Sequence, residues 1–205
     1  MLSDVPAGPG VPAGSRRAGR AERTRSSLLD AARAAFGRLG WPGARVEDVC
    51  REAGVGHGTF YAYYGNKSEI VEALVRRHAV ALDALVERPW TSADLRTDVR
   101  RVLTGVLALV ENDRDIREIW SSASSTEPAL AALGAEIRAQ FVTRIGSQLD
   151  RAVDAGRARA GLDVAVAAPA LAAMVEQTTG PLGPDVPADR LVEGLTDLWV
   201  HAVSA

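Results

Sequence analysis

A chain of 205 residues with one cysteine, one lysine and three histidines has few side chains from which to build a catalytic or metal centre. Cys50 alone excludes a disulfide framework within one chain, and no close-set Cys and His residues supply metal-ligand spacing. A phosphate-binding glycine loop and a nucleophile elbow are also missing, so no cofactor is expected. Long apolar runs are scarce as well. The most hydrophobic stretch, residues 162–175, is interrupted by Asp163 and Pro169 and falls short of a membrane span. The opening MLSDVPAGPGVPAG has no apolar h-region, so a cytoplasmic location is expected, with neither secretion nor membrane insertion. Period-2 alternation long enough for a sheet is absent, as is a repeat of 20–50 residues; the expected fold is all-α.

What is present is a core and a charge asymmetry. With 47% hydrophobic and 24% charged residues, the chain can bury a sizeable core and form one or two domains. Residues 1–67 carry ten Arg plus Lys against six Asp plus Glu, and residues 68–205 carry fourteen against twenty. One end is thus suited to a polyanion and the other is not. Arg16, Arg17, Arg20, Arg23 and Arg25 follow a Pro/Gly tail, and residues 1–21 are expected to form a disordered basic arm. Such an arm either lies in a minor groove or solubilises the chain.

The densest signal is VEDVCREAGVGHGTFYAYYGNKSEI, residues 46–70. Val46, Val49, Cys50 and Ala53 recur at i, i+3, i+4 and i+7 and predict a two-turn helix with one buried stripe. Gly54 suits the left-handed conformation that ends a helix, after which Val55 turns back to the core. Gly56, Gly58 and Thr59 keep the start of a second helix slim, so that backbone N–H groups can approach a phosphate, while Phe60 and Tyr64 face inward. Tyr61 and Tyr63 are left facing outward, where hydroxyls reach phosphates and rings reach sugars or thymine methyls. Asn66 and Glu69 then form a capping pattern for a further helix with Lys67 at its first position, well placed for a phosphate contact. The arrangement is that of a helix-turn-helix DNA reader.

Residues 28–74, LLDAARAAFGRLGWPGARVEDVCREAGVGHGTFYAYYGNKSEIVEAL, resemble the first four helices, in order, of the TetR family of one-component transcriptional regulators. The resemblance implies a three-helix DNA-binding domain over residues 22–67 and a helical effector-binding and dimerisation domain over 68–205. It places DNA-facing positions on His57, Gly58, Thr59, Tyr61, Tyr63 and Lys67, and at Arg45, where the family usually has Thr or Ser. Gly56 stands where Ser commonly caps the third helix. The partners implied are double-stranded operator DNA, a small, largely apolar effector that releases a repressor, and a second copy of the chain. Two reading helices about 34–36 Å apart would then enter successive major grooves of a pseudo-palindrome.

The second half reads as helix after helix. Leu95, Val99, Val102, Leu103, Val106, Leu107 and Val110 form a stripe after a Thr91-x-x-Asp94 capping pattern, and a short helix near Asp115–Ser122 follows. Ile137, Phe141, Ile145 and Leu149 mark a helix starting near Pro128 and ending around Gly156. Pro169 predicts a helix start or a kink. The run AAMVEQTT, a Pro/Gly loop and LWVH resemble the EthR branch of the family. By that resemblance the last two helices dimerise through Leu171, Leu191, Leu195, Leu198 and Trp199. An effector pocket draws on Trp120, Phe141, Met174 and Gln177, the last because an inward polar group needs a partner. Arg117, Arg144 and Glu176 read either as ligand anchors or as surface charges, with the surface reading preferred. Two other classes bear comparison. A helical adaptor binding protein through exposed tyrosines leaves the basic arm unexplained, and an all-α enzyme would need Cys50, His57, His78 and His201 to converge. Cys50 lies on a core stripe and the histidines are scattered, so no catalytic residue is expected.

Overall fold

The computed structural model describes residues 13–179 and 186–204. Among them all regular structure is helical: α1 Ala13–Gly43, α2 Val46–Ala53, α3 His57–Tyr61, α4 Lys67–Glu87, α5 Leu95–Asn112, α6 Arg114–Ser124, α7 Pro128–Asp154, α8 Val164–Thr179 and α9 Ala188–Val203. The chain divides between Val71 and Glu72 into two units, with α4 contributing to both.

In the first unit, α1 supplies Leu28, Ala32, Phe36 and Trp41 to a core completed by Val49, Cys50, Phe60 and Ile70. The Phe36 and Trp41 rings meet 5.8 Å apart, centre to centre. Between them Gly40 takes φ +70°, which breaks α1 and folds Trp41 back into the core. The expected disordered arm begins to order sooner than predicted: residues 13–21 are helical and run directly into the core helix. Ala and Arg make up six of those nine residues and proline is absent, so a helix nucleated by Leu28 and its neighbours propagates backward. The rest of the arm, residues 1–12, lies outside the described residues.

The entry to α2 is set by a carboxylate. Asp48 Oδ2 accepts the Arg45 N–H at 3.0 Å, and Oδ1 accepts from Arg51 at 2.9 Å. The Arg45 amide, followed by Arg51, holds the Asp48 carboxyl below its ordinary 3.8. A depressed folded value stabilises the unit above the unfolded pKa, and that gain disappears as the pH falls through the folded one. Thermal melts of the wild type and Asp48→Asn are therefore expected to differ at neutral pH and to converge below pH 3.8. A gap persisting in acid would remove the carboxylate as its cause.

In the second unit α5 packs along α9 and α7 along α8, with α6 against α7 and α8 against α9. Val99, Val102, Leu103 and Val106 of α5 share a core with Ile145, Leu149, Leu171, Val175, Leu195 and Trp199. The cap of α5 is one turn later than expected. Asp94, not Thr91, precedes the helix and accepts the Arg96 N–H at 3.0 Å, because the carboxylate reaches the orphan amides of the first turn directly. Pro169 neither starts nor ends α8, which begins at Val164 behind Asp163; the proline sits in its second turn. Pro169 has no N–H to donate four residues back, so one intrahelical bond is missing from that turn.

Two buried polar groups hold the ends of these helices. Gln148 donates from Nε2 to the carbonyls of Val86, Glu87 and Arg88, closing the C-terminus of α4. Asp98 is 2% exposed and accepts from the Ser92 amide (2.9 Å) and hydroxyl (3.1 Å), from Arg101 (3.2 Å) and from Arg157 (3.4 Å). Arg157 also donates to the carbonyls of Ser92 and Trp90, so one ion pair fastens the segment before α5 to the end of α7.

Candidate nucleic-acid interface and ligand cavity

The α2–α3 turn forms as its sequence dictates. Gly54 takes φ +65°, ψ +31°; its N–H donates to Arg51 O, and the Val55 N–H reaches back to Cys50 O at 3.0 Å. Cys50 is buried, and that burial pushes its thiol above the ordinary value, which keeps it a hydrophobe rather than a thiolate nucleophile. Phe60 anchors α3 from inside, edge-on to Tyr61 and tilted against Tyr64.

Anchored in this way, α3 turns His57, Gly58 and Tyr61 to solvent, with Tyr61 55% exposed and Thr59 half-buried. Arg45 is exposed at the start of α2. Tyr63, expected outside, is half-buried: the Arg25 guanidinium lies 5.9 Å from its ring centre and equally far from that of Tyr64. Three Tyr and Ala residues past the end of a five-residue helix do not keep its angular period, and the outward count fails there.

Lys67 does more than open α4. Its ammonium donates to Trp41 O at 2.8 Å and Ala44 O at 3.2 Å and sits 4.0 Å from the Trp41 ring centre. The lysine thus ties α4 to the C-terminal end of α1, and any phosphate contact comes in addition to this internal role. The capping pattern behind it is present, with the Glu69 N–H donating to Asn66 Oδ1 (2.9 Å) and the Gly65 N–H to Glu69 Oε2 (2.7 Å).

The second unit contains a cavity of about 420 Å³ walled by α4, α5, α6, α7 and α8. Trp120 and Phe141, both expected at a ligand site, line it. The Trp120 indole donates to Leu130 O at 3.3 Å and lies across Gly134, where an added Cβ would stand 2.4 Å from the ring. Met174 and Gln177 do not line the cavity. Met174 packs against the core and Gln177 is exposed, since α8 presents Val175, Glu176 and Thr179 to the cavity instead. Two residues read as surface charges, Arg117 and Glu176, are in the wall, along with His78 and Arg138. Arg144 does stay outside, paired with Asp83 and Glu87. A charged residue at helical spacing among apolar ones was the signal available for Arg117, three residues before Trp120 on α6.

The residues expected at a dimer interface separate into two groups. Leu171, Leu195 and Trp199 are buried in their own protomer's core, because α9 turns this stripe toward α5. Leu198 is 57% exposed and Leu191 half-buried, and with Gly194 they form an outward strip at i, i+3 and i+7. Among the described residues no group of His, Cys, Asp and Glu is arranged to hold a metal, and no helix is long and apolar enough to cross a membrane.

Known proteins resemble both units. Residues 28–74 match the family described as bacterial regulatory proteins, tetR family, and residues 99–205 match the transcriptional regulator EthR, C-terminal domain. The chain is 34% identical over 96 residues to the HTH-type transcriptional repressor LfrR of Mycolicibacterium smegmatis, covering 46% of this chain and 50% of that one. It is 24% identical over 166 residues to the HTH-type transcriptional regulator EthR of Mycobacterium tuberculosis, 77% of this chain and 76% of the other. Other curated regulators are matched over 42%, 53% and 60% of their own length. Among solved structures, the SmeT–triclosan complex superposes with a TM-score of 0.74 at 26% identity, covering 89% of this chain and 92% of that one.

Proposed function

The chain belongs to the TetR family of transcriptional regulators, with a second half of the EthR type, and from that membership we propose that it is a homodimeric repressor released from a pseudo-palindromic operator by a small molecule. The observation that carries the reading is the α2–α3 unit: a left-handed glycine turn, an inward phenylalanine and an outward tyrosine on consecutive residues. Arg45, His57, Gly58, Thr59, Tyr61, Tyr63 and Lys67 are the proposed DNA-facing set, with Tyr61 and His57 toward base edges. The basic N-terminal segment adds phosphate contacts.

The effector site is the cavity bounded by Trp120 and Phe141, whose volume of about 420 Å³ lies in the range of small-molecule pockets. SmeT bound to triclosan supports the same role for the second unit. Dimerisation is assigned to the outward strip of α9, and the cytoplasm is the compartment in which such a regulator meets DNA.

Tyr61 gives the direct test. Tyr61→Ala removes an exposed side chain and leaves Phe60 in place, so the fold survives while operator affinity drops by about 1–3 kcal/mol. The slope of log affinity against log salt should stay unchanged, because a phenol releases no counterion on binding. Mobility shifts over a salt series, on an operator selected from random sequence by the wild type, measure both. Failure to select any operator, or an undiminished affinity in the folded variant, would remove α3 as the reading element.

A further inference from the structure

The cavity of the second unit holds one charge that its walls do not balance. Of the charged groups lining it, Arg138 pairs with Glu176, and His78 stands 2.7 Å from the Asp113 carboxylate. Arg117 is half-buried in the same wall, and among the described residues its guanidinium has no hydrogen bond or ion pair. Around it the wall is largely apolar, with Val75, Leu82, Val106, Val110, Ile116 and Phe141. Burial, and then the neighbouring Arg114, hold the guanidinium below its ordinary value, so its charge is disfavoured by the protein groups around it. A polar group in such a place needs a partner, and the planar fork of arginine is matched to a carboxylate or a phosphate oxygen pair.

We propose that Arg117 anchors the anionic head group of the effector, whose hydrocarbon part lies along the apolar walls of α4, α5 and α7. The proposal rests on the ligand-responsive reading of the second unit and narrows it: the effector is an amphiphilic monoanion, not a neutral apolar molecule. One negative charge is called for because Arg138 and Glu176 already pair with each other and the His78 ring is hydrogen-bonded to Asp113. The Trp120 indole cannot serve as the anchor, since its N–H is committed to Leu130 O. Its position at i+3 from Arg117 instead places the ring beside the head group.

Equilibrium dialysis of the full chain against decanoate and decanol, which share a chain length and differ in charge, tests this. Decanoate is expected to bind at least about tenfold more tightly than decanol, as one charge-assisted hydrogen bond requires. Arg117→Met should abolish that preference while leaving decanol affinity unchanged, and Arg117→Lys should keep part of it. Equal affinities in the wild type, binding of neither probe, or a preference that survives in Arg117→Met would each overturn the anchor. If Arg117→Met fails to fold by circular dichroism, the wild-type comparison and the lysine variant decide. Operator selection by ligand-free protein is scored separately, so loss of the regulator reading and loss of the anchor are distinguishable results.

Discussion

Replacing Asp98 with alanine is expected to cost the second unit about 3–5 kcal/mol, the range for breaking one partner out of a buried ion pair. The carboxylate is 2% exposed and accepts from the Ser92 amide and hydroxyl and from two arginines. Deleting it leaves the Ser92 N–H without its acceptor and the half-buried Arg157 guanidinium without its counter-charge. Since a domain is stable by only about 5–15 kcal/mol, the loss is large enough to bring unfolding into the physiological range. Urea titration followed by circular dichroism should show a much lower midpoint for Asp98→Ala. The double variant with Arg157→Leu should recover part of the loss, because the stranded cation is then gone. A wild-type midpoint in Asp98→Ala would refute the clamp.

The second large effect separates folding from assembly on a single helix. Trp199 is 2% exposed and packs in the core shared by α5 and α9, so Trp199→Ala should cost about 3–5 kcal/mol through the cavity it leaves. Leu198, its neighbour in sequence, is exposed and gives up no core contact when replaced. Leu198→Asp is expected to leave the melting temperature of the protomer intact, halve the mass seen by light scattering and weaken binding to a full operator. If the wild type is itself a monomer at micromolar concentration, or Leu198→Asp scatters as the wild type does, α9 is not the dimer contact. The comparison matters because Leu195 and Trp199 look like interface residues in the sequence. A stripe of apolar residues on a terminal helix declares that it is covered, but not whether by its own chain or by another.

The same distinction describes how far the sequence could be read. Element type followed from periodicity, and the α2–α3 turn was legible to single residues because Gly54, Phe60 and Tyr61 each have a local reason for their place. Local chemistry also marked the starts of α4 and α7, at Asn66 and Pro128. Side-chain direction in the second unit was harder to infer. Gln177 was expected to face inward and Arg117 outward, and each does the opposite. The choice depends on how α6 and α8 are rotated against α7, a tertiary quantity that no short window encodes. Lys67 belongs to the same class, since its partners Trp41 and Ala44 are remote in sequence.

That lysine has a practical consequence for handling the protein. It is the only lysine in the chain, so amine-directed reagents have a single side-chain target, and it joins the start of α4 to the C-terminal end of α1. An amine engaged by two carbonyls and an indole face is slow to react, and it becomes reactive when the first unit opens. The rate of acylation at Lys67 therefore reports how often that unit opens, without an introduced label. Surface coupling through lysine would capture the opened form of the reading head in preference to the closed one.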